Sequence, residues 1–239
     1  MKKLGSFFSL LIVISSLSAT RAQTADDIIN KYVNAIGGRD VLAKVKSIYL
    51  EGNATVMGND YPTNTTVLAG KGSKNITTVN GTDIVQCFTD TGAWLINQFA
   101  GQPQPTALSP DAARAGQSAL TIGGALVDFK SRGFTDSLAG RETIEGVNTY
   151  KIKLSQPGIS FVYYIDPSTY YVLKTESHLT VDGKDETNTR VYSNFKKTDI
   201  GYVIPYTLGI NNQGYDVTIN YTKAEINKDV DPQIFAMPK

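Results

Sequence analysis

The spacing of apolar positions changes along the chain and divides it into helical and extended parts. Between Thr24 and Gly38, Ile28, Ile29, Tyr32, Val33 and Ile36 recur at three- and four-residue intervals, which predicts an amphipathic helix. Thr24 suits its N-cap, Asp26 and Asp27 face the positive end of the helix dipole, and Gly37-Gly38 supplies the stop. Asp40 is placed to cap a second, short helix through Lys46, with Val41, Leu42 and Val45 inward.

From Ser47 the period becomes two. Ile48, Leu50, Ala54 and Val56 alternate with Tyr49, Glu51, Asn53 and Thr55, the pattern of a half-buried strand. Turn signals follow at near-regular intervals: Gly58-Asn59-Asp60, Gly70-Lys71-Gly72, Asn80-Gly81 and Asp90-Thr91-Gly92. A meander of about five strands over Ser47 to Phe99 is expected. Pro103, Pro105 and Pro110 each remove a backbone donor, so Ala100 to Pro110 is expected to break the sheet. Ser109-Pro110-Asp111 starts a helix that runs to Leu120, Gly123-Gly124 punctuates, and Ala125 to Lys130 is read as one or two helical turns.

Strands resume near Phe134. Tyr150, Ile152 and Leu154 alternate with Lys151 and Lys153, and Ile159 to Ile165 is strongly apolar. Asp166-Pro167-Ser168-Thr169, Asp182-Gly183, Asp199-Ile200-Gly201 and Asn212-Gln213-Gly214 separate the later strands, which run to Ile226. About eleven strands and few helices give an α+β class with one large antiparallel sheet. Such a sheet curls rather than staying flat. The expected object is an incomplete β-barrel whose helices plug the concave face, in one domain over residues 23–239.

Met1 to Ala22 has the marks of a signal peptide. Lys2 and Lys3 precede an apolar run from Phe7 to Leu17, and Thr20-Arg21-Ala22 sets small residues for cleavage near Ala22. The run is too short to span a bilayer. Cleavage removes Lys2, Lys3 and Arg21 and no acid, leaving 217 residues with 20 basic and 22 acidic side chains. That near-neutral balance offers no basic surface for nucleic acid.

Composition removes familiar chemistry. One His and one Cys, His178 and Cys87, exclude an intrachain disulfide and a Cys/His zinc site. His178 shares its strand face with Lys174 and Glu176 and is expected at the surface; Cys87 is expected as a small buried hydrophobe. Acids are plentiful but not clustered, and no Gly-rich run has nucleotide-binding spacing. No catalytic residue, metal site or cofactor is assigned, and the chain is read as a non-enzyme.

The aromatic content is the better signal. Thirteen Tyr and nine Phe ride mostly on strands, and Tyr can line a greasy pocket while its hydroxyl finds a partner. The expected lining of a hydrophobic cavity is Leu50, Trp94, Ile96, Leu120, Tyr150, Ile152, Phe161, Tyr163, Leu173, Ile204 and Tyr206. Gly101, Gly123 and Gly124 are expected to hinge the helical insert as a lid.

Three stretches carry a resemblance. Asp27-Ile28-Ile29-Asn30-Lys31-Tyr32 through Gly37-Gly38, with Val41-Leu42 and Val45-Lys46-Ser47, resembles the opening of LolA-like proteins of Gram-negative envelopes. Tyr163-Tyr164-Ile165-Asp166-Pro167-Ser168-Thr169 with Val172-Leu173-Lys174 looks like that superfamily's strand-turn-strand. Tyr202-Val203-Ile204-Pro205-Tyr206 and the ending Val230-Asp231-Pro232 with Phe235-Ala236-Met237-Pro238 are similar to its C-terminal half. The resemblance implies an incomplete β-barrel with a helical lid, and a monomeric periplasmic carrier of lipid or of lipoprotein acyl chains with transient membrane-surface contact. Relatives that sense envelope stress imply the alternative, an interaction module for envelope proteins. Arg39, Arg114, Arg132, Arg141 and Arg190 match no motif of the family, so no lid-locking Arg is assigned.

Overall fold

The computed structural model describes residues 23–212 and 215–239. The expected signal peptide, Met1 to Ala22, and the turn pair Gln213-Gly214 lie outside them.

α1 (Ala25–Ala35) begins where its cap was expected. The Thr24 hydroxyl accepts from the Asp27 N–H and the Asp27 carboxylate accepts from the Thr24 N–H, each at 3.1 Å. This reciprocal pair satisfies two donors that a helix end otherwise leaves open. α2 (Arg39–Leu42) is shorter than expected. Asp40 lies inside it and caps nothing, because the helix has already begun at Arg39. A single turn with no side-chain cap has little to propagate it, and the chain turns into the sheet from Ser47.

Thirteen strands form among the described residues, against about eleven expected. The first six are β1 (Ser47–Val56), β2 (Asn59–Leu68), β3 (Gly72–Val79), β4 (Thr82–Thr89), β5 (Ala93–Asn97) and β6 (Gln102–Ala107). The rest are β7 (Thr135–Ile144), β8 (Val147–Gln156), β9 (Ile159–Ile165), β10 (Val172–Val181), β11 (Lys184–Lys197), β12 (Val203–Asn212) and β13 (Tyr215–Ile226). They build one open sheet in the order β6-β5-β4-β3-β2-β1-β13-β12-β11-β10-β9-β8-β7. Two meanders are thus joined by a single long-range pairing, β1 with β13.

β6 corrects the expectation of a break at Ala100 to Pro110. Pro103 and Pro105 sit in it, and it is an edge strand paired only to β5. An edge leaves half its backbone donors unused, so a missing N–H there costs little. The real break is residues 108–134, which carry α3 (Pro110–Ala115) and short 3₁₀ turns at Gly116–Leu120 and Phe129–Arg132. β6 and β7 are the two opposite edges of the sheet. The insert between them therefore has to cross its open side.

Register assigns the faces. Ile48, Val67, Ser73, Phe88 and Ala93 lie abreast across β1 to β5, and Tyr49, Thr66, Lys74, Cys87 and Trp94 lie abreast on the opposite face. Ile48 belongs to the core with Ile28, Ile29, Val33 and Ile36 of α1, so its face is the inner one. That core continues through Leu126, Val127 and Phe129 of the insert to Ile152, Leu154, Ile165 and Ile204 of the sheet. Each such aliphatic side chain stabilises the fold by roughly 1.5–3 kcal/mol.

A second, smaller core forms on the outer face. Val85, Cys87 and Trp94 are covered there by Phe235, which lies in a 3₁₀ turn (Pro232–Phe235) near the end of the chain. The Trp94 indole donates to the Phe235 carbonyl at 2.8 Å, and Lys74 Nζ donates to the Ile234 carbonyl at 3.1 Å. Gly72 makes the seat: a Cβ there would stand 2.4 Å from the Phe235 ring. Burial pushes the Cys87 thiol up to about 11, consistent with an inert packing residue.

Candidate functional site

The inner face is covered unevenly. α1 and the insert pack over one end of the sheet, where Tyr150, Ile152, Tyr163 and Ile204 are buried and Leu50, Phe161 and Tyr206 pack beside them. These seven are the expected lining residues that the structure gathers in one place. Leu120 is buried on the insert itself. Leu173 occupies the irregularity between Val172 and Lys174 where β10 loses register with β9. Trp94 and Ile96 belong to the outer core beneath Phe235, so they do not face the concave side.

Beyond the helices the inner face continues as a half-buried apolar strip (the trough) that sequence reading did not assign. One row of directly paired residues crosses seven strands: Ile152, Tyr163, Thr175, Arg190, Ile210, Val217 and Val56. A neighbouring row holds Tyr192, Leu208, Ile219, Ala54 and Tyr61. Ile210, Val217, Val56 and Leu208 are half-buried and lie outside the core beneath α1. On β12 the sequence runs from Ile204 and Tyr206 in that core to Leu208 and Ile210 in the trough. Six residues of strand make this path about 20 Å long. The only sequence signal for it was the alternation on β1 and β12, which does not say where a covering helix ends.

The trough has polar groups as well. The Tyr192 and Thr175 hydroxyls are 3.1 Å apart. Asn75 Nδ2 donates to Thr63 and Thr65 at 3.3 and 3.0 Å on the β2–β3 flank. Burial holds the Tyr163 phenol above its ordinary range and pushes Tyr202 up to about 12, so both stay neutral.

The insert is fastened at both sides of the opening. Gln117 Nε2 donates to the Thr89 carbonyl on β4 at 3.0 Å, and the Leu120 carbonyl accepts from the Gly70 N–H at 2.9 Å. Arg114 donates to the Pro157 carbonyl in the β8–β9 turn at 3.1 Å. Gly123 and Gly124 adopt φ of +80° and +77°, backbone that favours glycine, and the Tyr32 hydroxyl of α1 donates to the Gly123 carbonyl at 2.8 Å. Two ion pairs, Lys130 with Asp26 at 2.5 Å and Arg39 with Asp128, add contacts from insert to α1 and α2. Both are exposed and contribute little to stability. Gly101, by contrast, turns β5 into β6 and belongs to that hairpin rather than to the insert.

Arg132 shapes the insert from within. Its guanidinium donates to Thr121 Oγ1 at 3.2 Å, to the carbonyls of Gly124 and Val127 at 3.5 and 3.1 Å, and to the Ala125 carbonyl. Arg132→Met keeps the aliphatic stem and removes every donor. It should cost about 2 kcal/mol and speed amide hydrogen exchange over residues 121–127 ahead of the sheet. Unchanged exchange there would show that the insert holds its shape without the guanidinium.

His178 is exposed on β10 beside Thr187, and six strands of the sheet separate it from the buried Cys87 on β4. Among the described residues no three His, Cys, Asp or Glu side chains gather as a metal ion would need. None of the described helices is long and apolar enough to cross a membrane. A groove of about 480 Å³ on the outer side is walled by Lys71, Asp90, Trp94 and Phe235. Its walls include the chain's own tail and the Lys71–Asp90 ion pair, 2.9 Å long.

The sequence matches no protein-family model, and no curated protein matches it. Solved structures do. A domain described as an outer membrane lipoprotein-sorting protein from Vibrio parahaemolyticus superposes with a TM-score of 0.58 at 15% identity, over 88% of this chain and 97% of that one. A LolA superfamily protein from Nitrosomonas europaea gives 0.57 at 15% identity, over 89% of this chain and 97% of that one. At such identity the likeness speaks for architecture: the open thirteen-stranded sheet with its helical cover is a LolA-like fold.

Proposed function

We propose that the protein is a non-catalytic carrier that holds a hydrophobic ligand, the acyl chain of a lipid or lipoprotein, on the inner face of the half-barrel. The observation that carries this reading is the trough: half-buried Leu208, Ile210, Val217 and Val56 continue the apolar inner face past the edge of its helical cover. An acyl chain laid there gains about 0.8 kcal/mol for each CH₂ removed from water. A ligand longer than the trough reaches Tyr206 and Ile204 only when the insert lifts, and Gly123-Gly124 is where its backbone can turn. The similar structure described as a lipoprotein-sorting protein points the same way. In this reading residues 23–239 form one domain, exported, cleaved near Ala22 and acting in the periplasm.

Titrating delipidated protein with a fluorescent fatty acid should give saturable binding at micromolar concentration, displaced by unlabelled acid. Absence of saturable binding overturns the carrier.

One observation favours a second reading, a scaffold for envelope proteins. Ile28 of α1 and Ile152 of β8 are both fully buried in one core, so part of the inner face is filled by the chain's own side chains. Recovery of a single protein partner from native envelope, with no co-purifying lipid by mass spectrometry, would decide for the scaffold.

A further inference from the structure

We infer that the ligand has an anionic head and that Arg190 receives it; this rests on the carrier reading and names the ligand class that reading leaves open. Arg190 pairs with Thr175 on one side and Ile210 on the other, in the row that also holds Ile152, Tyr163, Val217 and Val56. Two residues along β11 lies Tyr192, which packs against the main core. Arg190 therefore shares the inner face, about 7 Å further from the helical cover. Its positive charge favours the ionised forms of Tyr163 on β9 and of Tyr221 on β13. It acts across the trough in both directions from β11.

No acid answers that charge. Among the described residues Arg190 has no hydrogen-bonded or ion-paired partner, whereas Arg39, Arg114, Arg132 and Arg141 all do. The nearest acid on the same side of β11 is Glu186, four residues and about 13 Å away. Glu176 on β10 is turned to the outer face, where it meets Lys174 and the Tyr164 hydroxyl. The groups that do surround Arg190 are neutral: the hydroxyls of Thr175, Tyr192 and Tyr163, and the aliphatic side chains of Ile210 and Val217.

An unanswered guanidinium at the mouth of an apolar trough suits an amphiphile of one polarity. Its planar fork matches a carboxylate or a phosphate monoester in two parallel hydrogen bonds. The hydroxyls of Tyr192 and Thr175 stand one strand-step away to serve remaining oxygens. From there the chain of the ligand runs over half-buried Leu208 towards Tyr206 and the covered end. A cationic head would meet repulsion at the same place, and an uncharged head would leave the guanidinium unpaired.

The test uses probes of one chain length below their micellar concentrations: hexadecanoate, hexadecyl phosphate, hexadecanol and hexadecyltrimethylammonium. Delipidated protein should bind at least one of the two anions about ten-fold or more tighter than the alcohol, and the cation most weakly. Whichever anion leads tells a fatty-acid head from a phosphate head. Arg190→Gln should bring the favoured anion down to the level of the alcohol, and Arg190→Lys should restore part of the gap. Arg190 is exposed, so a near-unchanged melting temperature confirms that these variants fold. Equal binding of anion and alcohol by the unaltered protein, or an anion preference that survives Arg190→Gln, overturns the inference while the carrier stands. Failure of all four probes overturns both.

Discussion

Replacing Phe235 with Ala should destabilise the protein by about 3–5 kcal/mol. The ring is 3% exposed, although it lies four residues from the end of the chain, and it fills a seat made by Gly72, Cys87 and Trp94. Half-buried Leu68, Ile76, Ile96 and Val230 pack around the margin of that outer core. The Trp94 indole keeps its acceptor in the variant because the acceptor is the backbone carbonyl of residue 235. The loss is therefore one of packing rather than of a hydrogen bond. For a domain of this size it should lower the melting temperature by roughly 6–20 °C. Met237→Ala, two residues on at a side chain 47% exposed, should change stability by less than about 0.5 kcal/mol. Thermal unfolding of the pair followed by circular dichroism checks both. A Phe235→Ala protein as stable as its parent would mean that the tail merely rests on the sheet.

Ile28→Ala should have the next largest effect, about 2–5 kcal/mol, and a different consequence. Ile28 is fully buried at the contact of α1 with the inner face. Its loss weakens the cover more than the sheet, since the thirteen strands hold one another through their own ladders. Amides of α1 should exchange faster than those of β8 and β9. If α1 is part of a gate, uptake of the fluorescent fatty acid should rise in the same variant, because Ile152 and Ile204 become reachable. Faster exchange without greater uptake would leave α1 as a fixed plug and confine the ligand to the trough.

Much of the fold was legible because its signals are local. The Thr24 cap, the Ser109-Pro110 helix start, the Asp166-Pro167 turn and the alternation on β1 and β8 each depend on a few neighbouring residues. β6 was not legible, since proline weighs against a strand unless that strand is known to be an edge. The candidate site was legible in part. Tyr150, Ile152, Tyr163 and Ile204, expected to line a cavity, lie together in the main core and are themselves buried. Trp94 and Ile96 carried the same alternating apolar pattern and belong to the other face.

The sequence by itself determined where the chain is helical, where it is extended and where it turns. It also determined that a large antiparallel sheet would have to hold itself together without a disulfide. Only the tertiary structure decided which face of each strand is inner and what covers it. The reason is that a period of two presents two equivalent faces, and the choice between them depends on distant segments. Phe235 reaches Trp94 across 141 residues of sequence, and Tyr32 of α1 reaches the insert at Gly123 across 91. The same kind of register that set Trp94 beneath the tail set Arg190, exposed, on the inner face.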